Sequence, residues 1–123
     1  MMDEEKTIQF LPGQSPLDDV SGVPTVRGLS GPLEGQEYRL VGREYLIGRD
    51  PVCDIVIDAK DVSRRHAKIE RASTEYMLCD LGSSNGVYVN NLKLSRAVLM
   101  NGDMFQIGSC VFQFVWNRVL PTA

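Results

Sequence analysis

The chain has 123 residues, of which 43% are hydrophobic and 24% charged. The length is typical of one globular domain and excludes a large multidomain enzyme. The composition argues against a collagen-like or wholly disordered chain. The longest apolar run is four residues, Ala97–Met100, and the start of the chain is acidic, so we expect no signal peptide, no membrane span and a cytoplasmic location. The net charge of −3 combines −4 over residues 1–19 with +1 over residues 20–123, and so weak a basic charge excludes nucleic-acid binding by bulk charge.

Residues 1–23 are predicted to form a flexible acidic tail. They combine acidic residues with prolines, glycines and serines and hold too few apolar residues to offset the entropy of ordering them. The tail contains a single threonine, Thr7, which is followed by Ile8 and, two residues later, by Phe10. An accessible threonine in such a segment is a candidate site for phosphorylation by a kinase.

Residues 24–118 are predicted to form one β domain, and residues 119–123 a C-terminal end or linker. Glycine, proline and asparagine interrupt this stretch at short intervals. Between them, alternating or β-rich segments predict short strands at Glu37–Val41, Tyr45–Ile47, Asp54–Ile57, Ala67–Glu70, Tyr76–Leu81, Val87–Val89, Met104–Ile107 and Cys110–Trp116. Eight or more short strands in about a hundred residues indicate an antiparallel sandwich or barrel.

The stretch Ala59–Ala72 allows two interpretations. It lacks glycine and proline, and Val62, Ile69 and Ala72 fit part of one helical face. The alternation of apolar and charged residues over Ala67–Glu70 favours instead a loop followed by a strand that begins near His66.

The three cysteines do not form a recognisable framework. Cys53, Cys79 and Cys110 lie 26 and 31 residues apart, and their odd number and wide spacing argue against paired disulfides and against a close-spaced zinc site. No Walker sequence, dinucleotide fingerprint or metal-ligand cluster is present in the sequence. We therefore expect reduced thiols, no metal and no cofactor.

Three predicted loops carry groups that suit a phosphate. Gly48-Arg49 ends one predicted strand, Ser63–His66 opens another, and Gly82–Gly86 makes a turn between two more. Proteins bind phosphate with a guanidinium fork, hydroxyls and backbone N–H groups held in tight turns. Asn85 can offer both a donor and an acceptor to a peptide backbone. If the three loops converge, they form an anion pocket with a rim that reads a peptide.

These motifs and two later ones resemble those of the forkhead-associated (FHA) domain. The matching residues are Gly48-Arg49, Ser63-x-x-His66, Asp80–Gly86 with Val89-Asn90, and Leu99-x-x-Gly102-Asp103 with Ile107-Gly108. Each fragment alone is weak, but their order and spacing over residues 24–116 make a specific signal. The resemblance implies an all-β, eleven-stranded antiparallel sandwich of the FHA type. It also implies binding of phosphothreonine peptides through loops at one end, without catalysis, in serine/threonine kinase signalling.

The resemblance further assigns roles to individual residues. Arg49, Ser63 and Arg64 are expected to contact the phosphate, and Asn85 the ligand main chain beside the phosphothreonine. Ser84 stands where many family members have threonine, so the pocket wall is expected to differ slightly. The positions with an implied structural role are Gly48, Gly86 and His66, of which His66 braces the loop rather than touching phosphate.

Two other functions fit some of the same residues. Ser63, His66 and Asp58 or Asp61 are the residue types of a hydrolase triad, but the Gly-x-Ser-x-Gly elbow is missing from the sequence and His66 is its sole histidine. The second alternative is a phosphate-independent scaffold, in which the sandwich pairs with itself or a partner through its sheet faces. Arg65 is interpreted as a surface or rim charge rather than a ligand contact.

The tail adds a hypothesis about the ligand. Phosphorylation of Thr7 would add about −1.5 to −2 charges within reach of the pocket, and the segment resembles the phosphorylated tails of some bacterial FHA proteins, which dock in their own or a neighbouring domain. We therefore expect two partners, a serine/threonine kinase and either a phosphothreonine-bearing protein or the chain's own tail, and neither nucleic acid nor membrane. A sequence that ends soon after its last predicted strand is typical of the N-terminal module of a longer protein.

Overall fold

The computed structural model describes residues 22–117, and within that range every regular element is a β-strand. The strands are β1 (Thr25–Ser30), β2 (Glu37–Arg39), β3 (Glu44–Gly48), β4 (Ile55–Val56), β5 (Ala67–Ala72), β6 (Glu75–Asp80), β7 (Val87–Val89), β8 (Leu92–Lys93), β9 (Arg96–Val98), β10 (Met104–Ile107) and β11 (Cys110–Val115). Thr7, most of the predicted tail and the predicted C-terminal end lie outside the described residues.

The strands form two sheets that pack face to face. The six-stranded sheet has the order β2-β1-β11-β10-β7-β8, and the five-stranded sheet has the order β4-β3-β5-β6-β9. Strand β4 runs parallel to β3, while the other paired strands are antiparallel. This confirms the all-β sandwich and the strand number that the family resemblance implied.

The core lies between the sheets and follows from the alternation of side chains along each strand. In β11, Cys110, Phe112 and Phe114 are buried while the residues between them are partly exposed. Phe112 stacks on Phe105 of β10 with their ring centroids 5.2 Å apart. Burial of such an aromatic pair stabilises the core by more than the buried area alone would.

The strands predicted between Glu37 and Trp116 are confirmed to within a few residues. The helix considered over Ala59–Ala72 is wrong, because residues 57–66 form a loop and Ala67–Ala72 is strand β5. Three strands, β1, β8 and β9, were not predicted from the sequence.

The two ends of the sandwich differ in what they carry. At the Gly108 end lie the loops 49–54, 57–66 and 81–86, because Gly108 and Asp61 line one cavity and the loops are hydrogen-bonded to one another. At the Trp116 end, the indole Nε1–H of Trp116 donates to the carbonyl of Gly22. Strand β11, six residues long, separates the two ends by about 20 Å.

Candidate functional site

Gly48 allows the end of β3 to lie directly against the loop that follows β4. The amide of Arg49 donates to the Ser63 carbonyl and that of Asp50 to the Arg64 carbonyl, each at 3.1 Å. A Cβ on Gly48 would overlap the Arg64 carbonyl oxygen. Only glycine therefore lets these two backbone segments pair here, and the pairing sets the position of Arg49.

His66 joins two of the loops from a fully buried position. The Ser63 amide donates to Nδ1 at 3.0 Å, so Nε2 carries the proton and donates to the Gly86 carbonyl at 2.7 Å. Since both ring nitrogens bond backbone groups, neither can accept the Ser63 hydroxyl proton. This geometry argues against the Ser63–His66 hydrolase pair considered from the sequence.

Hydrogen bonds to two nearby side chains hold the turn Gly82–Gly86 in shape. The amide of Ser83 donates to an Asp80 carboxylate oxygen at 3.0 Å, and the amide of Gly86 donates to the Ser83 hydroxyl at 2.8 Å. Gly86 has a φ of 84°, a conformation that favours glycine over residues with a Cβ. These bonds fix the backbone that presents Ser84 and Asn85 at the surface.

The three loops surround a shallow pocket of about 80 Å³. Its lining residues are Arg49, Lys60, Asp61, Val62, Ser63, Ser84 and Asn85. The structure thus brings four of the predicted ligand residues to one exposed cavity, although they are up to 36 positions apart in the sequence.

The Arg49 side chain is held in place without being neutralised. Its Nε donates to the Val62 carbonyl at 3.0 Å, which leaves the terminal nitrogens of the guanidinium for a ligand. Within residues 22–117, no carboxylate forms an ion pair with Arg49. A guanidinium in this state suits a bidentate contact with a phosphate.

Ser63 and Asn85 are held by bonds that orient their remaining groups. The Ser63 hydroxyl oxygen accepts from the Ser84 amide at 3.0 Å, so its own proton can donate to an anion. The Asn85 amide nitrogen donates to the Asp61 carbonyl at 2.9 Å, which links the 81–86 loop to the 57–66 loop. The Asn85 carbonyl oxygen is then oriented as an acceptor for a ligand N–H.

Two of the lining residues, Lys60 and Asp61, were not predicted as ligand residues from the sequence. Lys60 adds a second cation to the lining, whereas the exposed Arg64 side chain is not among the lining residues. Arg65 is exposed, as expected for a surface charge. No sequence motif marks Lys60, because a lysine in a polar loop is ordinarily a solvated charge.

The buried Cys53 is hydrogen-bonded to the 57–66 loop that carries Ser63. Its thiol donates to the Arg64 carbonyl at 3.3 Å, and burial, followed by the nearby Asp50 carboxylate, raises its pKa. Residues 22–117 contain no group of three or more His, Cys, Asp and Glu side chains placed to hold a metal ion. The same range has no helix long and apolar enough to cross a membrane.

Comparison with known proteins places this arrangement in context. A family model described as the FHA domain matches residues 45–108. The chain is 41% identical over 93 residues to the oxoglutarate dehydrogenase inhibitor of Corynebacterium jeikeium, covering 72% of this chain and 65% of that protein. It is 39% identical over 99 residues to the glycogen accumulation regulator GarA of Mycobacterium tuberculosis, covering 77% and 61%. The matches therefore span about three-fifths of the length of these relatives.

A solved structure shares the fold. EmbR of Mycobacterium tuberculosis, in complex with a low-affinity phosphopeptide, superposes with a TM-score of 0.72 at 32% sequence identity. The match covers 89% of this chain and 27% of that one.

Proposed function

Since this chain belongs to the FHA domain family, we propose that it is a phosphothreonine-peptide-binding module of serine/threonine kinase signalling and has no catalytic role of its own. The observation that carries the proposal is the pocket where Arg49, Ser63 and Asn85 meet. A similar chain has been solved with a phosphopeptide, and two relatives are named as an inhibitor and a regulator. These names favour a regulatory output through binding.

In the proposed complex the phosphate enters the pocket beside Arg49. The guanidinium pairs with two phosphate oxygens, the Ser63 hydroxyl donates to a third, and Lys60 adds charge from the rim. Arg64 is exposed in the same loop and contributes from outside the lining. Asn85 bonds the peptide main chain. A small space for the γ-methyl would favour threonine over serine by roughly 1 kcal/mol.

The direct test is titration of a phosphothreonine peptide and its unmodified twin by calorimetry. We expect Arg49→Ala to cost roughly 2–5 kcal/mol of binding free energy, because it removes one partner of a charged, hydrogen-bonded pair. Lys60→Ala should cost less and lose its effect at high salt, because the lysine lies at the solvent-exposed rim. Arg71→Ala, an exposed arginine on β5 at the Trp116 end, is the matched control and should bind normally.

Two results would contradict the proposal. Binding that survives Arg49→Ala would show that the phosphate sits elsewhere. Equal binding of the unmodified peptide would favour the phosphate-independent scaffold.

The cytoplasmic location stays a prediction of the sequence.

We further propose that phosphorylated Thr7 is a ligand of this pocket, in its own chain or a neighbouring one. Fourteen residues, 8–21, separate Thr7 from Gly22 and can extend to roughly 46–50 Å, more than the length of the sandwich. Tethering gives an effective concentration in the millimolar range, so a weak site would still be filled.

Hydrogen exchange on the full chain tests the tail. Phosphorylation should protect residues 1–10, and Thr7→Ala should abolish that protection without changing the melting of the body. Equal exchange of residues 1–10 in phosphorylated and unphosphorylated samples would refute the proposal. An increase in the mass of the particle in solution from one chain to two on phosphorylation would identify docking between chains.

A further inference from the structure

Two arginines lie side by side at the Trp116 end of the sandwich, opposite the end that carries the ligand loops. Arg43 immediately precedes β3 and Arg71 belongs to β5, and the amide of Arg71 donates to the Arg43 carbonyl at 2.8 Å. The register that pairs Glu44 with Glu70 places Arg43 opposite Arg71. Both arginines line a shallow cavity of about 170 Å³. Because like charges opposite each other destabilise a sheet, this arrangement favours an anionic partner.

The described carboxylates do not supply that partner. Glu44 and Glu70 line the same cavity, but Lys68 binds both of them, at 3.1 and 3.2 Å. No carboxylate of the described part of the chain forms an ion pair with either arginine. The Nε of Arg71 donates to the Ser73 carbonyl at 3.4 Å. The terminal nitrogens of its guanidinium are therefore left for another group.

The arginine pair lies close to the point where the described chain begins. Arg71 is opposite Tyr76 in the pairing of β5 and β6. Burial raises the pKa of Tyr76, and the nearby Arg71 guanidinium acts in the opposite direction. The rings of Tyr76 and Trp116 have centroids 5.0 Å apart, and Trp116 donates to the Gly22 carbonyl. Since opposite residues of paired strands lie within about 5.5 Å, these contacts place Gly22 within roughly 15 Å of Arg71.

Two acidic residues, Asp18 and Asp19, come shortly before Gly22 in the sequence. Asp19 is three residues before Gly22 and Asp18 is four residues before it. An extended chain of that length spans about 10–14 Å. The long arginine side chains cover the remaining distance, so the two carboxylates can reach the two guanidiniums.

Charge and chain length favour these two acids over the others in the tail. Residues 1–19 carry a charge of −4 and residues 20–123 a charge of +1, so the tail is attracted to cations of the body that lack a partner. The other acids of the tail, residues 3–5, are 17 to 19 residues before Gly22, and closing that longer loop costs more entropy. An exposed ion pair alone contributes little. Two carboxylates tethered beside two arginines, however, are present at a high effective concentration.

We propose that Arg43 and Arg71 form a docking site for Asp18 and Asp19 of this chain. The contact fixes the root of the tail at the Trp116 end, and it does not require phosphorylation of Thr7. Residues 8–17 remain between Thr7 and the docked acids. These ten residues extend to roughly 33–36 Å, more than the length of the sandwich, so the docking site is compatible with the proposed binding of phosphorylated Thr7.

Nuclear magnetic resonance relaxation of the full, unphosphorylated chain tests the contact. We expect the amide order parameters of Asp18 and Asp19 to exceed about 0.6, the value below which a backbone is flexible. Arg43→Gln combined with Arg71→Gln should lower them below that value, and so should Asp18→Asn combined with Asp19→Asn. Exchanging the charges, with arginine at both acidic positions and glutamate at both basic ones, should restore the order. A loss of folding cannot produce such a rescue, and the neutralised acids lie outside the folded body.

Matched changes of charge elsewhere in the chain are the controls. Asp3→Asn, Glu4→Gln and Glu5→Gln together neutralise three acids of the same tail and should leave the order of residues 18 and 19 unchanged. Arg65→Gln removes an exposed arginine at the other end of the sandwich and should also have no effect. Salt at about 1 M, which screens exposed charges beyond roughly 3 Å, should release the docked acids in the unaltered chain.

Four results would overturn the docking site. The first is an order parameter of Asp18 and Asp19 below about 0.6 in the unaltered chain. The second is a loss of order in the variant of residues 3–5, which would show that other acids are bound. The third is a loss of order in Arg49→Ala, which would show that the pocket of the ligand loops holds the tail. The fourth is order that rises with protein concentration, which would show that a neighbouring chain supplies the acids. Phosphothreonine binding is tested separately by the peptide titration, so failure of one proposal is distinguishable from failure of the other.

Discussion

Replacing His66 by phenylalanine tests whether the buried imidazole holds the site together. Phenylalanine keeps a ring in the same space but removes the acceptor for the Ser63 amide and the donor to the Gly86 carbonyl. A buried polar group left without its partner costs about 1–3 kcal/mol. The Gly86 carbonyl is buried and bears the full penalty, whereas the half-buried Ser63 can recruit water. The expected loss of unfolding free energy is therefore about 1–3 kcal/mol.

Urea denaturation followed by the fluorescence of the single tryptophan, Trp116, measures this loss. Phosphothreonine-peptide binding, measured where the variant is still folded, should also weaken because the Ser63 and Gly86 loops lose the link through the His66 ring. Arg65→Ala, an exposed neighbour in the same loop, should change stability by no more than about 0.5 kcal/mol. A His66→Phe variant that loses less than about 1 kcal/mol and binds normally would refute the bracing role.

Two further predictions concern the backbone pairing and the thiols beneath it. Gly48→Ala should lower the free energy of unfolding by about 1–3 kcal/mol in thermal melts and weaken peptide binding, because the new Cβ meets the Arg64 carbonyl. Gly42→Ala is the control and should change neither stability nor binding, because its Cβ meets only a movable tyrosine hydroxyl at 3.1 Å. Equal losses of stability in the two variants would contradict the reasoning. Timed alkylation read by mass spectrometry should modify the half-buried Cys79 before Cys53, whose raised pKa keeps the thiol protonated. Since the pKa of Cys53 is raised in the folded state, its contribution to stability is fully present below the ordinary thiol pKa and is lost as the pH rises from there through the raised folded-state pKa. Cys53→Ser melts that show the same alkaline loss would disprove this.

Much of the sandwich was predictable because its strands alternate between one buried and one exposed face. The strands β5, β10 and β11 show this pattern directly in the sequence. Strand β1 was missed because Gly28 and polar residues interrupt the alternation. Strands β8 and β9 have two and three residues with mostly exposed side chains, so their pairing depends on neighbouring strands rather than on a local pattern.

The site was predictable to the extent that its motifs are local. Arg49, Ser63, Ser84 and Asn85 were identified from short motifs, and the structure places all four at one pocket. Lys60 was missed because its position depends on how the 57–66 loop folds back, a tertiary effect that residue spacing does not encode. The cavity that Asp61 and Gly108 line together likewise brings together residues 47 positions apart.

The hydrogen bond between Trp116 and Gly22 has a consequence for protein engineering. It brings Gly22, the first described residue, beside the side chain of Trp116, one residue before the last described one, at the end of the sandwich away from the ligand loops. Closely spaced ends at the surface are the condition under which a domain tolerates circular permutation or insertion. The body can therefore be spliced as a cassette into a surface loop of a host protein, with Arg49 projecting away from the graft.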